Sequence, residues 1–135
     1  AVAAIRSGRW DFVVLQDESS RPLVNPGEME KYARLFDAEI RKAGARTVLF
    51  ATWARRDQPG TQARIDAAYD ELGSALGAIV ARVGAEWASR PGDALHAADG
   101  NHAAPAGMEV SAAVIARALS GPSLPRAATR GDWRE

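Results

Sequence analysis

The sequence has no cysteine, only two histidines and no excess of either charge. The lack of cysteine excludes disulfides, thiolate metal sites and cysteine nucleophiles. Two histidines with scattered acidic residues form no pattern of metal ligands, so we expect neither a metal nor another cofactor. Seventeen basic and seventeen acidic residues give a formal net charge of +0, which disfavours a nucleic-acid partner.

Long hydrophobic runs are also missing. No apolar stretch approaches the ~20 residues of a transmembrane helix, and no signal-peptide pattern is visible in these residues, so we expect no membrane partner. The compartment and the oligomeric state stay open. A chain of 135 residues suffices for one domain with a sizeable core. We expect that domain over residues 1–125, followed by a short tail of mixed charge over residues 126–135.

Three short apolar runs, rich in β-branched and aromatic residues, have the composition of buried strands. Around them, apolar residues recur at the spacing of amphipathic helices. Strands that alternate with helices predict an α/β protein, a three-layer α/β/α sandwich around a mostly parallel sheet. The predicted strands are residues 10–16, 46–52 and 78–84.

Residues 1–6 are predicted to be the last turns of a helix, with Gly8 as its C-terminal cap. Three further helices are predicted, each with a start signal. Pro26 opens the first, Thr61 caps the second and Pro105 opens the third. Residues 85–102 are predicted to form a long loop, and loops of that length in compact domains often carry function. The residues predicted to face the core from the third helix are Met108, Ala112, Ile115 and Leu119.

The segment Asp-Gly-Asn-His places Asp99 three residues before His102. Histidine exchanges a proton near neutral pH, and a carboxylate on one ring nitrogen fixes the tautomer and stabilises the imidazolium. Gly100 permits the tight turn that would let the two side chains meet. The spacing equally fits an aspartate that caps a turn beside an exposed histidine, so both interpretations stay open here.

Polar residues follow the ends of the predicted strands. Because ligands of open parallel sheets bind beyond the carboxyl ends of the strands, we expect polar residues with Trp53, Arg55 and His102 to converge on one edge of the sheet. Trp53 is either a pocket wall and substrate platform or plain core. Arg55 and Arg56 are expected to be solvated, and contact with a substrate is the alternative for them.

Four segments in order resemble the SGNH (GDSL-like) hydrolase superfamily, in which a late Asp-x-x-His motif precedes the final helix. The resemblance runs from about Ile5 to Pro125 and implies a flavodoxin-like fold and a Ser–His–Asp ester hydrolase. It makes His102 the general base and Asp99 its orienting acid. The segments are WDFVVLQDESSRP, TVLFATWARR, AYDELGSALGAIVARVGAEW and LHAADGNHAAPAGMEVSAAVIARAL.

The resemblance also places Gln16 near the position of the oxyanion-hole asparagine, where its amide would donate a hydrogen bond to the developing oxyanion. The alternative for Gln16 is a strand-end residue that bonds loop backbone. Ser19 is a candidate for the same oxyanion or substrate-binding group, although a hydrogen bond to its own loop is the simpler expectation. His96 stands where the related sequences carry an aromatic residue, and we expect a structural role for it.

The sequence also departs from the superfamily pattern. The superfamily's nucleophile is a serine in a Gly-x-Ser motif after the first strand, and no such motif occurs in residues 1–135. We therefore expect the first strand and its serine loop to lie upstream of Ala1, so that the nucleophile is unknown and this chain alone is inactive or nearly so. Ala103 and Ala104 stand where related sequences often have Pro-Ser.

The predicted function is hydrolysis of acyl esters, acetyl esters of carbohydrates above all, or of other small esters. One alternative is a non-catalytic carbohydrate-binding or interaction domain with the same fold. A second is a flavodoxin-like module for a phosphate or nucleotide. The second needs a loop that attracts phosphate, and the segment QDESS carries two acidic residues that would repel it.

Overall fold

The computed structural model describes residues 1–92 and 94–121, and in them three strands form one parallel sheet. The predicted tail, residues 126–135, lies outside the described residues. The strands are β1 (Phe12–Leu15), β2 (Arg46–Phe50) and β3 (Ile79–Ala81). The helices are α1 (Val2–Ser7), α2 (Arg21–Val24), α3 (Pro26–Lys42), α4 (Gln62–Leu76), α5 (Val83–Ala88) and α6 (Pro105–Ser120), with a 3₁₀ turn at Pro59–Thr61 before α4.

The sheet has the order β1-β2-β3, and its central strand is covered on both faces. Leu49 and Ala51 pack among residues of α3 and α4, whereas Val48 and Phe50 pack among residues of α5 and α6. Because both faces of β2 are buried, the strand is apolar throughout rather than alternating. The predicted α/β/α sandwich with a parallel sheet is confirmed.

Helix α3 begins where the sequence indicates. The side chain of Asn25 accepts a hydrogen bond from the backbone N–H of Glu28 at 3.1 Å, which satisfies one of the free donors of the first turn. The buried face includes Asp37, whose carboxylate accepts from Thr47 Oγ1 at 2.6 Å and from Arg41 Nε at 2.7 Å. These donors offset the cost of burying a charge.

Helix α6 is rotated relative to the predicted face: Ile115 and Leu119 pack against the core as predicted, whereas Ala112 is exposed. Met108, expected inside, is 58% exposed, whereas Gly107, Ser111 and Val114 are buried. The reason is the ring of Trp87, which lies where a side chain on Gly107 would stand, 2.6 Å from an added Cβ. The helix therefore presents its small residues to the indole, and hydrophobic spacing gives no sign of this.

Two short helices were not predicted from the sequence. Helix α5 follows β3 almost directly, where the sequence indicates the start of a long loop. Helix α2 occupies part of a segment rich in turn residues. The strands are also shorter than predicted, because the backbone of β1 pairs with β2 along only four residues and that of β3 along only three.

The outer edge of β1 pairs with no other strand among the described residues. Apolar side chains lie along this edge, including Trp10 at 48% and Val14 at 44% exposure. Helix α1 flanks the edge and is joined to α3 by an ion pair between Arg6 and Glu39 at 2.7 Å. The face around β1 is thus the least covered part of the sheet.

The ion pair of α1 predicts a dependence of stability on acid. Hydrogen bonds from Arg6 and Lys42 lower the pKa of Glu39 to about 2. A lowered folded-state pKa means that the stabilisation is present above the ordinary carboxyl pKa and is lost as the pH falls toward about 2. We expect the melting temperature to fall less steeply in Glu39→Gln than in the wild type between about pH 5 and about pH 2.

Thermal unfolding followed by circular dichroism measures this dependence. Glu71→Gln is the matched control, because Glu71 is an exposed glutamate on α4 that makes no ion pair within the described part of the chain. An acid profile of Glu39→Gln that coincides with those of the wild type and of Glu71→Gln would contradict the assignment.

Candidate active site

The loop around Asp99 and His102 is built on a left-handed glycine. Gly100 has φ +70°, a conformation that L side chains rarely adopt. The turn brings the backbone N–H groups of Asn101 and His102 onto Asp99 Oδ1, each at 2.9 Å. We call residues 96–103 the Asp–His loop.

The second carboxylate oxygen of Asp99 contacts the imidazole. Asp99 Oδ2 lies 2.6 Å from His102 Nδ1. The hydrogen bond from His102, with those from the two backbone N–H groups, holds the pKa of Asp99 well below its usual range. An ionised carboxylate accepts, so Nδ1 carries the proton and Nε2 is left to accept one. The His102 side chain is 78% exposed, so that nitrogen faces solvent.

Asp99 is both a turn cap and a partner of the imidazole, so the two interpretations of the Asp99–His102 spacing hold together. Asp99 caps the turn through one oxygen and orients the imidazole through the other. This is the arrangement that a general base requires: one ring nitrogen held by a carboxylate and the other free for a reacting group.

Two residues of the segment after β2 hold the Asp–His loop in place. Trp53 Nε1 donates to the carbonyl of Asn101 at 2.8 Å. The backbone N–H of Arg56 donates to the carbonyl of Gly100 at 2.9 Å, and its guanidinium donates to the carbonyls of His96 and Ala97. Sequence reasoning missed this role for Arg56, because two adjacent arginines give no sign of which carbonyls they will meet.

The indole of Trp53 is itself fixed by an aromatic cluster. It stacks on Trp87 with ring centroids 4.0 Å apart and planes 6° from parallel. The ring of His96 meets Trp87 edge-on at 5.0 Å, and its Nε2 lies 2.9 Å from the carbonyl oxygen of Ala54. The half-buried Trp53 therefore packs against the core through Trp87 and also supports the Asp–His loop through Asn101.

The segment after β1 reaches the same loop through Ser19. Ser19 Oγ lies 3.4 Å from Asn101 Oδ1 and 3.3 Å from Glu18 Oε1, and it can donate to only one of them. Gln16 is exposed at the end of β1. Within residues 1–92 and 94–121, no hydrogen bond joins Gln16 to Asp99 or His102. The structure thus brings Ser19 and Trp53 onto the Asp–His loop and leaves Gln16 outside the hydrogen-bonded set.

Neither a cluster of metal ligands nor a membrane-spanning helix occurs among the described residues. No group of three or more His, Asp or Glu side chains stands close enough to hold a metal ion in that part of the chain. None of the described helices combines the length and the apolar character that crossing a bilayer requires.

Comparison with solved structures gives two similar proteins. One is described as "a putative SGNH hydrolase from Slackia heliotrinireducens": it is 30% identical over 87% of this chain and 70% of that chain, with a TM-score of 0.80. The other is TesA, 15% identical over 87% of this chain and 66% of that chain, with a TM-score of 0.70. No protein-family model matches the chain, and neither does any curated protein.

A parallel sheet between helix layers, with an Asp-x-x-His loop before the last helix, defines the class of flavodoxin-like hydrolases. Within that class the identity and coverage of the first match are decisive. The chain belongs to the SGNH hydrolase family. TesA, at its lower identity, shares the fold alone.

Proposed function

We propose that this chain carries the base and its orienting acid in a serine ester hydrolase. The observation that supports the proposal is the 2.6 Å contact between Asp99 Oδ2 and His102 Nδ1, with the rest of the imidazole open to solvent. In this proposal His102 Nε2 takes the proton of a serine hydroxyl as the serine attacks the ester carbonyl. The imidazolium then protonates the departing alcohol.

The second half of the reaction uses the same pair in reverse. His102 takes a proton from water, the hydroxide attacks the acyl-enzyme, and the proton passes to the serine as the acyl group leaves as a carboxylic acid. Asp99 remains ionised throughout and stabilises each imidazolium. Its low pKa, caused chiefly by the hydrogen bond from His102, suits that task.

In this proposal the side-chain amide of Gln16 donates a hydrogen bond to the developing oxyanion. Its side chain stands exposed beyond the carboxyl end of β1, the edge where open parallel sheets bind ligands. One such amide donor is typically worth ~3 kcal/mol of transition-state stabilisation. Ser19 and Trp53 would support the site from the two neighbouring segments, since both contact Asn101.

The serine nucleophile comes from outside residues 1–135 in this proposal. Among the described serines, none donates a hydrogen bond to His102: Ser19 and Ser20 bond Glu18, and Ser111 bonds the carbonyl of Gly107. The open, apolar edge of β1 would accept one more strand, and that strand would end beside Gln16.

The proposed substrates are acyl esters of carbohydrates or other small esters. The test compares residues 1–135 with the polypeptide extended to the start of its reading frame. Each is assayed for hydrolysis of p-nitrophenyl acetate and of an acetylated methyl glycoside. We expect turnover only in the extended polypeptide, and none in its His102→Ala variant. Glu109→Gln is the control, because Glu109 is an exposed residue of α6 that stands outside the proposed chemistry.

Two results would overturn the proposal. Turnover by residues 1–135 that disappears in Ser19→Ala would assign the nucleophile to Ser19 and refute an external serine. A folded extended polypeptide without activity on either ester would favour the alternative of a non-catalytic binding domain.

A further inference from the structure

A cleft of about 470 Å³ lies beside the Asp–His loop and is separate from the groove at Gln16. It opens between the segment after β2 and the segment after α5. Neither Asp99 nor His102 lines it. Its main lining residues are Trp53, Arg55, Pro59, Trp87, Leu95 and His96.

The cleft has an apolar wall made of rigid aromatic rings. The stack of Trp53 on Trp87 and the edge contact from His96 hold the rings in one arrangement. Leu95 and Pro59 complete the apolar surface. Rigid indole surface binds the C–H faces of sugars and other amphipathic ligands at little entropic cost.

One wall residue also presents an acceptor. His96 Nε2 lies 2.9 Å from the carbonyl oxygen of Ala54, and a carbonyl can only accept, so Nε2 carries the proton. In the neutral ring Nδ1 is then an acceptor. Within the described ranges no protein group bonds it. A ligand hydroxyl in the cleft would find that nitrogen available.

The third feature is an arginine without a carboxylate partner. Arg55 is exposed, and no ion pair of its guanidinium exists in the described part of the chain. Its neighbours are occupied, since Arg56 bonds two loop carbonyls and Arg90 bonds Glu86. A guanidinium without a partner is well suited to bind a carboxylate through two parallel hydrogen bonds.

The cleft adjoins the Asp–His loop through the same arginines. A shallow depression shares Arg55 and Arg56 with the cleft and extends to Asp99 and Gly100. A ligand in the cleft therefore lies on the surface that leads to Asp99. The position suits the part of a substrate that extends away from its ester bond.

We infer that this cleft binds a sugar unit that carries a carboxylate, a uronate. Its C–H face packs on the half-buried indole of Trp53, which the buried ring of Trp87 supports from behind. A hydroxyl donates to His96 Nδ1, and Arg55 pairs with the carboxylate. The assignment of that sugar to the substrate rests on the proposed function, whereas the binding itself needs no nucleophile.

The test uses two ligands that differ only in the carboxylate. Methyl β-D-glucuronide and methyl β-D-glucoside are titrated into residues 1–135, with tryptophan fluorescence and ¹H–¹⁵N NMR shifts as readouts. We expect the glucuronide to bind about tenfold more tightly, with shifts at Trp53 and His96, and this preference to shrink at about 1 M salt. Arg55→Gln is expected to abolish the preference and keep the glucoside affinity.

Arg9→Gln is the matched control, because Arg9 is an exposed arginine before β1, at the opposite end of the strands. Equal affinity for the two ligands in the wild type, or a preference that Arg55→Gln retains, would refute the carboxylate assignment. Absence of binding by either ligand would refute the sugar site altogether. Glucuronide binding together with an extended polypeptide inactive on all esters would uphold the site and overturn only the proposed function.

Discussion

Asp99→Asn in the proposed ester hydrolase is expected to lower kcat about 10⁴-fold and to leave KM nearly unchanged, which is the largest effect we expect. The variant keeps the size of the side chain, and its amide oxygen can still accept from the N–H groups of Asn101 and His102. The amide nitrogen of the variant then faces His102 Nδ1, at the position where the wild type has the accepting carboxylate oxygen Oδ2 of Asp99. An N–H donor at that position forces the proton onto Nε2, the atom that must receive one.

The measurement is kcat and KM for p-nitrophenyl acetate in the extended polypeptide, beside the melting temperature of each variant. Glu109→Gln is the control, since Glu109 is an exposed acid on α6 that makes no ion pair in the described part of the chain. If Asp99 positions the imidazole of His102, Asp99→Asn lowers kcat and leaves the melting temperature unchanged. If Asp99→Asn retained more than about a tenth of the wild-type kcat, Asp99 would be a turn cap only.

The second large effect concerns the stability of the fold and the glycine in the first turn of α5. Gly84 lies in α5 against the end of β2, where an added Cβ would stand 2.1 Å from the carbonyl oxygen of Thr52 and 2.2 Å from Gln62 Nε2. Neither contact can relax freely. The first is backbone of the buried segment just after β2, and the second belongs to a buried amide that bonds the backbone of Ala54 and Thr52. We expect Gly84→Ala to destabilise the fold by about 3 kcal/mol.

Chemical denaturation of residues 1–135 measures this free energy. Gly27→Ala is the matched control, because Gly27 lies in the first turn of α3 and an added Cβ would meet nothing within 4 Å. That substitution restricts the unfolded chain and is expected to stabilise by about 0.5 kcal/mol. Opposite signs for the two variants would support the packing of α5 on β2, and equal unfolding free energies would refute it.

The local parts of the fold were predictable from the sequence. Helix α3 begins at Pro26 as predicted, because the proline start signal and the apolar periodicity agree there. The Asp99 turn was likewise within reach, since its glycine and its spacing are local. The SGNH resemblance, stated from four ordered segments, is confirmed by the match to the Slackia heliotrinireducens structure.

The parts that depend on distant neighbours were not predictable. The face of α6 is set by Trp87, which lies twenty residues earlier in the chain than Gly107, and small residues leave no hydrophobic signal. The tie from Arg56 to the Asp–His loop depends on which carbonyls the loop turns outward. Whether the side chain of Gln16 points toward His102 depends on packing around the end of β1, and the composition of the sequence carries no information about that packing.

The stacked indoles of Trp53 and Trp87 have one more consequence. Two transition dipoles 4.0 Å apart couple strongly, and coupled chromophores of fixed geometry give a paired signal in circular dichroism. Because Trp53 also bonds the backbone of Asn101, any displacement of the segment that carries the imidazole alters that geometry. The molecule thus contains a built-in spectroscopic probe of the Asp–His loop, one that needs no label.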